Sequence, residues 1–191
     1  MEFPVRKSIR LQNYDYSRRG EYFITICTKD KMCIFWDNND KYKPITADVN
    51  GSSYENDTPN VGTANGRPQH THKIHLSEFG VYVKECLNNI HCHYQMVFVD
   101  KYVIMPNHIH LILRIDSLSD LEASGRPMAV PTISTVINQF KGAVSRMAGF
   151  NVWQGRFHDH ILRNEREYRG AWQYIENNPI QWENDEYFIK E

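Results

Sequence analysis

Two strand-like runs separated by three residues constrain this chain more than any other feature. Met96 to Ile104 reads MVFVDKYVI and His108 to Ile115 reads HIHLILRI, with Met105-Pro106-Asn107 between them. A connection that short leaves no room for a crossover, so the runs pair as an antiparallel hairpin. Pro106 cannot donate to a ladder and sits in the turn. Successive side chains on a strand point to opposite faces, so His108 and His110 share one face while Ile109, Leu111 and Leu113 take the other. The two imidazoles stand about 7 Å apart along the strand, close enough to converge on one ion. The same pattern also suits a half-exposed sheet face with no ligand, and spacing alone does not choose between the two.

Other elements fall into place around that hairpin. Glu21 to Thr28 (EYFITICT) is β-branched and aromatic and predicts a strand. Leu76, Phe79, Val83, Leu87 and Ile90 recur at helical spacing and predict a helix reaching about Tyr94. Ile133, Val136, Ile137, Phe140, Val144 and Met147 predict a second. Arg156 to Leu162 predicts a short strand after Trp153. A last helix opens at Asn164, with Glu167 placed as in a capping box, and ends at Pro179. The order is β-α-β-β-α-β followed by a helix. That is an α+β, ferredoxin-like sandwich with an additional C-terminal helix. Between Asn50 and His72, fourteen of 23 residues are Gly, Asn, Ser, Thr or Pro. The 191 residues therefore divide into a single domain, 1–191, carrying a flexible insertion at about 38–72.

The four cysteines form two C-x5-C pairs, outside the usual gap of paired zinc ligands, and read as free thiols. The longest apolar runs are about five residues, too short for a bilayer span, and Met1 to Lys7 lacks an apolar signal core, so a cytoplasmic protein is expected. Eight of the nine histidines fall in four His-x-His pairs, so the pattern discriminates nothing by itself. His70/His72 lies in the insertion. His91/His93 lies at a helix end, where residues two apart diverge. His158/His160 is on a predicted strand and rivals His108/His110. A structural metal site built from Cys86, His91, Cys92 and His93 is a competing reading.

The net charge of −1 gives no global argument for nucleic acid, but it hides segregation. Residues 1–19 and 131–170 each carry +3, and 171–191 carries −4. A Walker loop, Gly-x-Gly-x-x-Gly and Gly-x-Ser-x-Gly are absent. On the last helix the apolar stripe runs through Tyr168, Ala171, Trp172 and Ile175. Tyr174 falls off it, and Asn178, four residues on, projects from the same flank.

Met-Pro-Asn-His-Ile-His (105–110), Trp153-Gln154-x-Arg156-Phe157 and Tyr174-Ile175-x-x-Asn178-Pro179 occur in that order. Together they resemble the single-tyrosine HUH transposases, particularly the REP-associated tyrosine transposase branch, over roughly 1–36 and 73–182. The resemblance implies a metal-dependent enzyme that cleaves and rejoins single-stranded DNA near REP-like hairpins through a 5′-phosphotyrosine. Tyr174 matches the nucleophile, and His108, His110 and Asn178 match the ligands of a divalent metal, Mg or Mn. The implied partner is single-stranded DNA with hairpin structure. Oligomeric state differs between branches, which leaves a homodimer open. Candidate DNA contacts are Arg10, Arg18, Arg19, Lys141, Arg146, Arg156, His160 and Arg163. A catalytically silent, domesticated hairpin-binding protein is the alternative.

Overall fold

The computed structural model describes residues 14–37, 75–116 and 131–189. The insertion expected at 38–72, the His70/His72 pair and Arg10 lie outside them. Four strands, β1 (Gly20–Cys27), β2 (Val97–Ile104), β3 (His108–Ile115) and β4 (His158–Leu162), form one sheet in the order β2-β3-β1-β4. Every neighbouring pair is antiparallel. Two β-α-β units interleave in this order, which is the split arrangement expected of the ferredoxin-like fold.

Helices α1 (Glu78–Asn88), α2 (Ile90–His93) and α3 (Ile133–Ala148) cover one face of the sheet. Val83 and Leu87 of α1 and Ile133, Val136, Ile137, Phe140 and Val144 of α3 bury against Ile24, Ile26, Ile109, Leu111, Leu113 and Ile115. Helix α4 (Glu165–Asn177) covers the other face. There Ile175 packs with Val103, Met105, Ile112 and Leu162. The alternation along β3 therefore sorts its side chains between two layers. Ile109, Leu111, Leu113 and Ile115 enter the larger core, and the His108 and His110 side chains open toward α4.

Local signals set the boundaries. The Ser77 hydroxyl caps α1 by accepting from Gly80 N at 3.0 Å and donates to Ile34 O at 2.7 Å. Asn164 caps α4 by accepting from Glu167 N, while Glu167 Oε2 accepts from Arg163 N. The helix expected to reach Tyr94 breaks at Asn89 (φ −90°, ψ 0°). Asparagine competes for backbone hydrogen bonds and tolerates that bridge conformation. The strand expected from Arg156 starts at His158. Gln154 N donates to Cys27 O, and the Lys141 ammonium takes Gln154 O at 2.6 Å. A bulge in β2 between Val99 and Lys101 holds the Asp100 carboxylate, which is mostly buried. Arg114 Nε and the Tyr168 hydroxyl both donate to it, tying α4 to the sheet.

Helix α4 ends as expected ahead of Pro179, but the chain does not leave the fold there. A 3-10 turn runs from Asn178 to Asn184. Proline is tolerated in the first turn of a new helix, where its missing N–H has no partner to lose. The turn buries Trp182 and carries the tail back across the sheet.

One close approach holds α1 in place. A Cβ added to Gly80 would stand 2.2 Å from Phe35 O, a carbonyl already held by Ser77 N at 2.9 Å. Alanine is the better helix former by about 1 kcal/mol, yet Gly80→Ala is expected to lose about 2 kcal/mol net through overpacking. Urea unfolding of the variant checks this; a gain in stability would show that α1 can shift freely.

Candidate metal and nucleophile site

His108 and His110 are 0% and 2% exposed, and their Nε2 atoms stand 3.0 Å apart. Each ring is oriented from behind. Asn107 Nδ2 donates to Tyr187 O at 2.9 Å and is 3.4 Å from Lys31 O. Asp30 and Lys31 both have left-handed backbone (φ 53° and 55°) and turn that second carbonyl toward the amide. With Asn107 Nδ2 committed to carbonyls, its Oδ1 accepts from His108 Nδ1–H at 2.9 Å. His108 Nε2 then carries a lone pair. His110 Nδ1 stands 2.9 Å from Thr25 Oγ1, a neighbour on β1. Such partners fix ring orientation and tautomer in metal sites.

Burial, and then the neighbouring His110, hold His108 down to about 2; burial holds His110 down to about 4, with Asp185 pulling the other way. Both rings are neutral ligands at neutral pH. The pair therefore has the form a divalent cation needs, two uncharged imidazoles with their distal nitrogens convergent.

Helix α4 delivers Tyr174, 43% exposed, above this pair. Its hydroxyl lies 3.5 Å from His110 Nε2, and its ring packs edge-on against His110 and Phe23 at 5.1 and 5.7 Å. Burial, with the Asp185 and Glu186 carboxylates, pushes the phenol above its ordinary value, and Asn178 pulls it back. Asn178 closes α4 by donating its backbone N–H to Tyr174 O. Its side chain is buried and donates Nδ2 to Asp185 Oδ2 at 3.0 Å. Its Oδ1 is buried with no hydrogen-bond partner. A buried amide oxygen left unpaired costs about 1–3 kcal/mol, and a cation would satisfy it. Two imidazole nitrogens and an orphaned amide oxygen fit a divalent ion.

Sequence reasoning passed over Asp185. One donor atom from each of His108, His110 and Asp185 lies within 4.8 Å of the others. The acidic character of the tail was legible, but not its place beside the histidines, which depends on the turn after Pro179. Tyr187 was also missed; its ring lies 4.6 Å from His108.

The remaining candidates are dispersed. Arg18 and Arg19 are exposed at the start of β1, the end remote from the histidine pair, since Gly20 pairs with Ile115 and Cys27 with His108. Arg156 is exposed just before β4, at the end where His158 pairs with Thr25. Arg163 is exposed at the far end of β4, and Arg146 lies on α3 in the opposite layer. Lys141 is buried, its ammonium holding Gln154 O. His160 Nε2 stands 3.4 Å from Glu167 Oε2. The rival cluster at Cys86, His91, Cys92 and His93 does not converge. His91 Nδ1 faces Asn88 O, and among the described residues the group of donors sized for an ion is His108, His110 and Asp185. No helix among the described residues is long and apolar enough to cross a membrane.

No family model matches the chain. A Haemophilus influenzae protein (strain ATCC 51907 / DSM 11121 / KW20 / Rd), named only as uncharacterised, is 32% identical over 199 residues, covering 96% of this chain and 93% of that protein. The REP-associated tyrosine transposase of Escherichia coli (strain K12) is 28% identical over 83 residues, covering 43% of this chain and 44% of that one. Among solved structures, a REP-associated tyrosine transposase bound to a REP hairpin superposes with a TM-score of 0.50 at 17% identity, covering 91% of this chain and 74% of that one.

Proposed function

We propose a function from one premise: the chain belongs to one family with the Haemophilus influenzae protein, and the family it resembles in sequence and fold is that of the REP-associated tyrosine transposases. On this reading it is a metal-dependent enzyme that cuts and rejoins single-stranded DNA beside hairpins through a 5′-phosphotyrosine. The observation that carries the reading is the Tyr174 hydroxyl 3.5 Å from a buried, neutral histidine pair.

His108, His110 and Asn178 would hold the divalent ion. When bound, the ion supplies positive charge that stabilises a phenolate and the charge developing on a phosphate. The chain's own residues do the rest. Tyr174 is half exposed, which leaves part of the residue open to a DNA strand. Its oxygen attacks the scissile phosphorus, the P–O(Tyr174) bond forms, and the bond from phosphorus to the 3′ oxygen breaks. The phenol proton passes to solvent, and the released 3′ oxygen takes a proton from solvent and leaves as a hydroxyl. The phosphoester is conserved in the adduct, so the reverse attack by a 3′ hydroxyl rejoins a strand with no further energy source. The elevated phenol matters here. A phenol is protonated at neutral pH in any case, and burial with two carboxylates raises Tyr174 further, so forming the phenolate calls on the positive charge the ion would supply.

Arg156 and His158 lie at the sheet end beside the site and are the first candidates for guiding a phosphodiester backbone. The hairpin partner comes from the resemblance, and the solved relative is described as bound to a REP hairpin.

Incubating the full chain with Mn²⁺ and a radiolabelled hairpin oligonucleotide with a single-stranded flank tests the reading. A labelled protein band that survives denaturing electrophoresis and is lost in EDTA is expected. Tight hairpin binding with no adduct would leave the silent DNA-binding alternative.

A further inference from the structure

The site holds more than the histidine pair and Asn178. The acidic tail loops back from α4 through the 3-10 turn and places Asp185 beside both imidazoles. We infer that Asp185 is itself a ligand of the divalent cation, and that residues 185–188 form a clasp whose closure is coupled to ion binding. The inference rests on the metal site of the function proposed above and deepens it by naming a ligand and a linked conformational element.

Three observations carry it. The first is reach. The donor atoms of His108, His110 and Asp185 lie within 4.8 Å of one another, and ligands on opposite sides of one ion at roughly 2.0–2.4 Å from it are separated by about that much. The second is orientation. Asp185 Oδ1 accepts from Tyr187 N at 2.7 Å and Oδ2 from Asn178 Nδ2 at 3.0 Å. Both donors come from the turn that carries it, and each carboxylate oxygen keeps capacity for another partner. The third is Asn178 Oδ1, buried and unpartnered on the same amide that steadies Asp185. One cation between them answers both groups. It gives the amide oxygen a partner, and it offsets a carboxylate that otherwise faces the position of a DNA phosphate.

The clasp follows from the contacts around Asp185. Tyr187 lies against His108 at 4.6 Å, and its carbonyl accepts from Asn107 Nδ2, the amide that sets the His108 tautomer. Trp182 and Phe188 pack edge-on at 5.2 Å. Seating the tail thus delivers the carboxylate and completes the backing of His108 in one movement. A His₂-Asn-Asp set is mixed nitrogen and oxygen with one negative charge, which favours Mn²⁺ over a site with no carboxylate.

The test uses Mn²⁺ alone with the full, metal-free chain at pH 7.5. Free Mn²⁺ is read by electron paramagnetic resonance, and hydrogen exchange is followed across 179–188. Wild-type protein is expected to bind one Mn²⁺ and to slow exchange in that segment. Asp185→Asn is expected to bind at least tenfold more weakly, with no added protection, while melting in EDTA like the wild type. Equal Mn²⁺ affinity in the two proteins overturns the inference, as does a wild-type chain that binds no Mn²⁺. If Asp185→Asn fails to fold in EDTA, the wild-type exchange decides: Mn²⁺-induced protection of 179–188 supports the clasp and its absence overturns it. DNA does not enter these measurements. A chain that binds Mn²⁺ through Asp185 but forms no DNA adduct keeps this inference and loses the strand-cleavage reading. An adduct-forming chain with unchanged Mn²⁺ affinity in Asp185→Asn does the reverse.

Discussion

Under the proposed function, Tyr174→Phe is expected to remove strand cleavage while leaving the fold and hairpin binding in place. The substitution deletes one oxygen. The ring keeps its packing against Phe23 and His110, and the lost hydroxyl stood 3.5 Å from His110 Nε2 with Asn178 as its other polar neighbour, on a half-exposed residue. A change in stability of no more than about 1 kcal/mol is expected. The chemical loss is of another order. Without the phenol oxygen no covalent intermediate forms, and cleavage falls by at least about 10³-fold. Adduct formation on a denaturing gel, hairpin affinity by fluorescence anisotropy and a thermal melt separate these effects. Cleavage that persists in the variant removes Tyr174 from the role. Tyr187, its ring tilted against His108, would then be the next tyrosine to substitute.

The second large effect is acid destabilisation of the metal-free protein. Both histidines have folded pKa values below the unfolded value near 6.5, His108 at about 2 and His110 at about 4. Below pH 6.5 the unfolded chain takes up protons at these positions that the folded chain refuses. Their contribution is therefore fully present above pH 6.5 and is lost as pH falls, toward 4 for His110 and toward 2 for His108. At roughly 1.4 kcal/mol per pH unit for each ring, the pair costs about 4 kcal/mol between neutrality and pH 5. Urea midpoints measured in EDTA at pH 7.5 and pH 5 check the sign. The double variant His108→Gln with His110→Gln should flatten the decline, since glutamine does not titrate. A decline that survives the double variant would assign it to other groups.

How much of this was written in the sequence depends on how local each determinant is. The parity of β3 was legible because a strand repeats every two residues, so the facing of His108 and His110 follows from their positions alone. The shared flank of Tyr174 and Asn178 was legible for the equivalent helical reason, and Asn164 announced the start of α4. The break at Asn89 was not, because apolar spacing continues across it and a single turning residue does not interrupt the pattern. Asp185 was hidden for a tertiary reason. Pro179 correctly ends the α-helix, but nothing in the sequence says that the next turn folds back over β3 rather than away from it. Lys141 shows the converse. A lysine on an amphipathic helix reads as a surface cation, and only the folded chain reveals that Gln154 O occupies it. The acidic tail looked like a counterweight to basic segments, whereas Asp185 and Glu186 stand close enough to Tyr174 to raise its phenol.

The two-layer sorting of β3 has a consequence for heredity. Substitutions at Ile109, Leu111, Leu113 and Ile115 act through the amount of folded protein, and those at His108 and His110 through what a folded molecule does. A library scored for abundance should be depleted at the aliphatic positions of this one strand, and the same library scored for the proposed DNA rearrangement should be depleted there and at His108 and His110 as well. The difference between the two maps is what isolates the histidines from the scaffold that carries them.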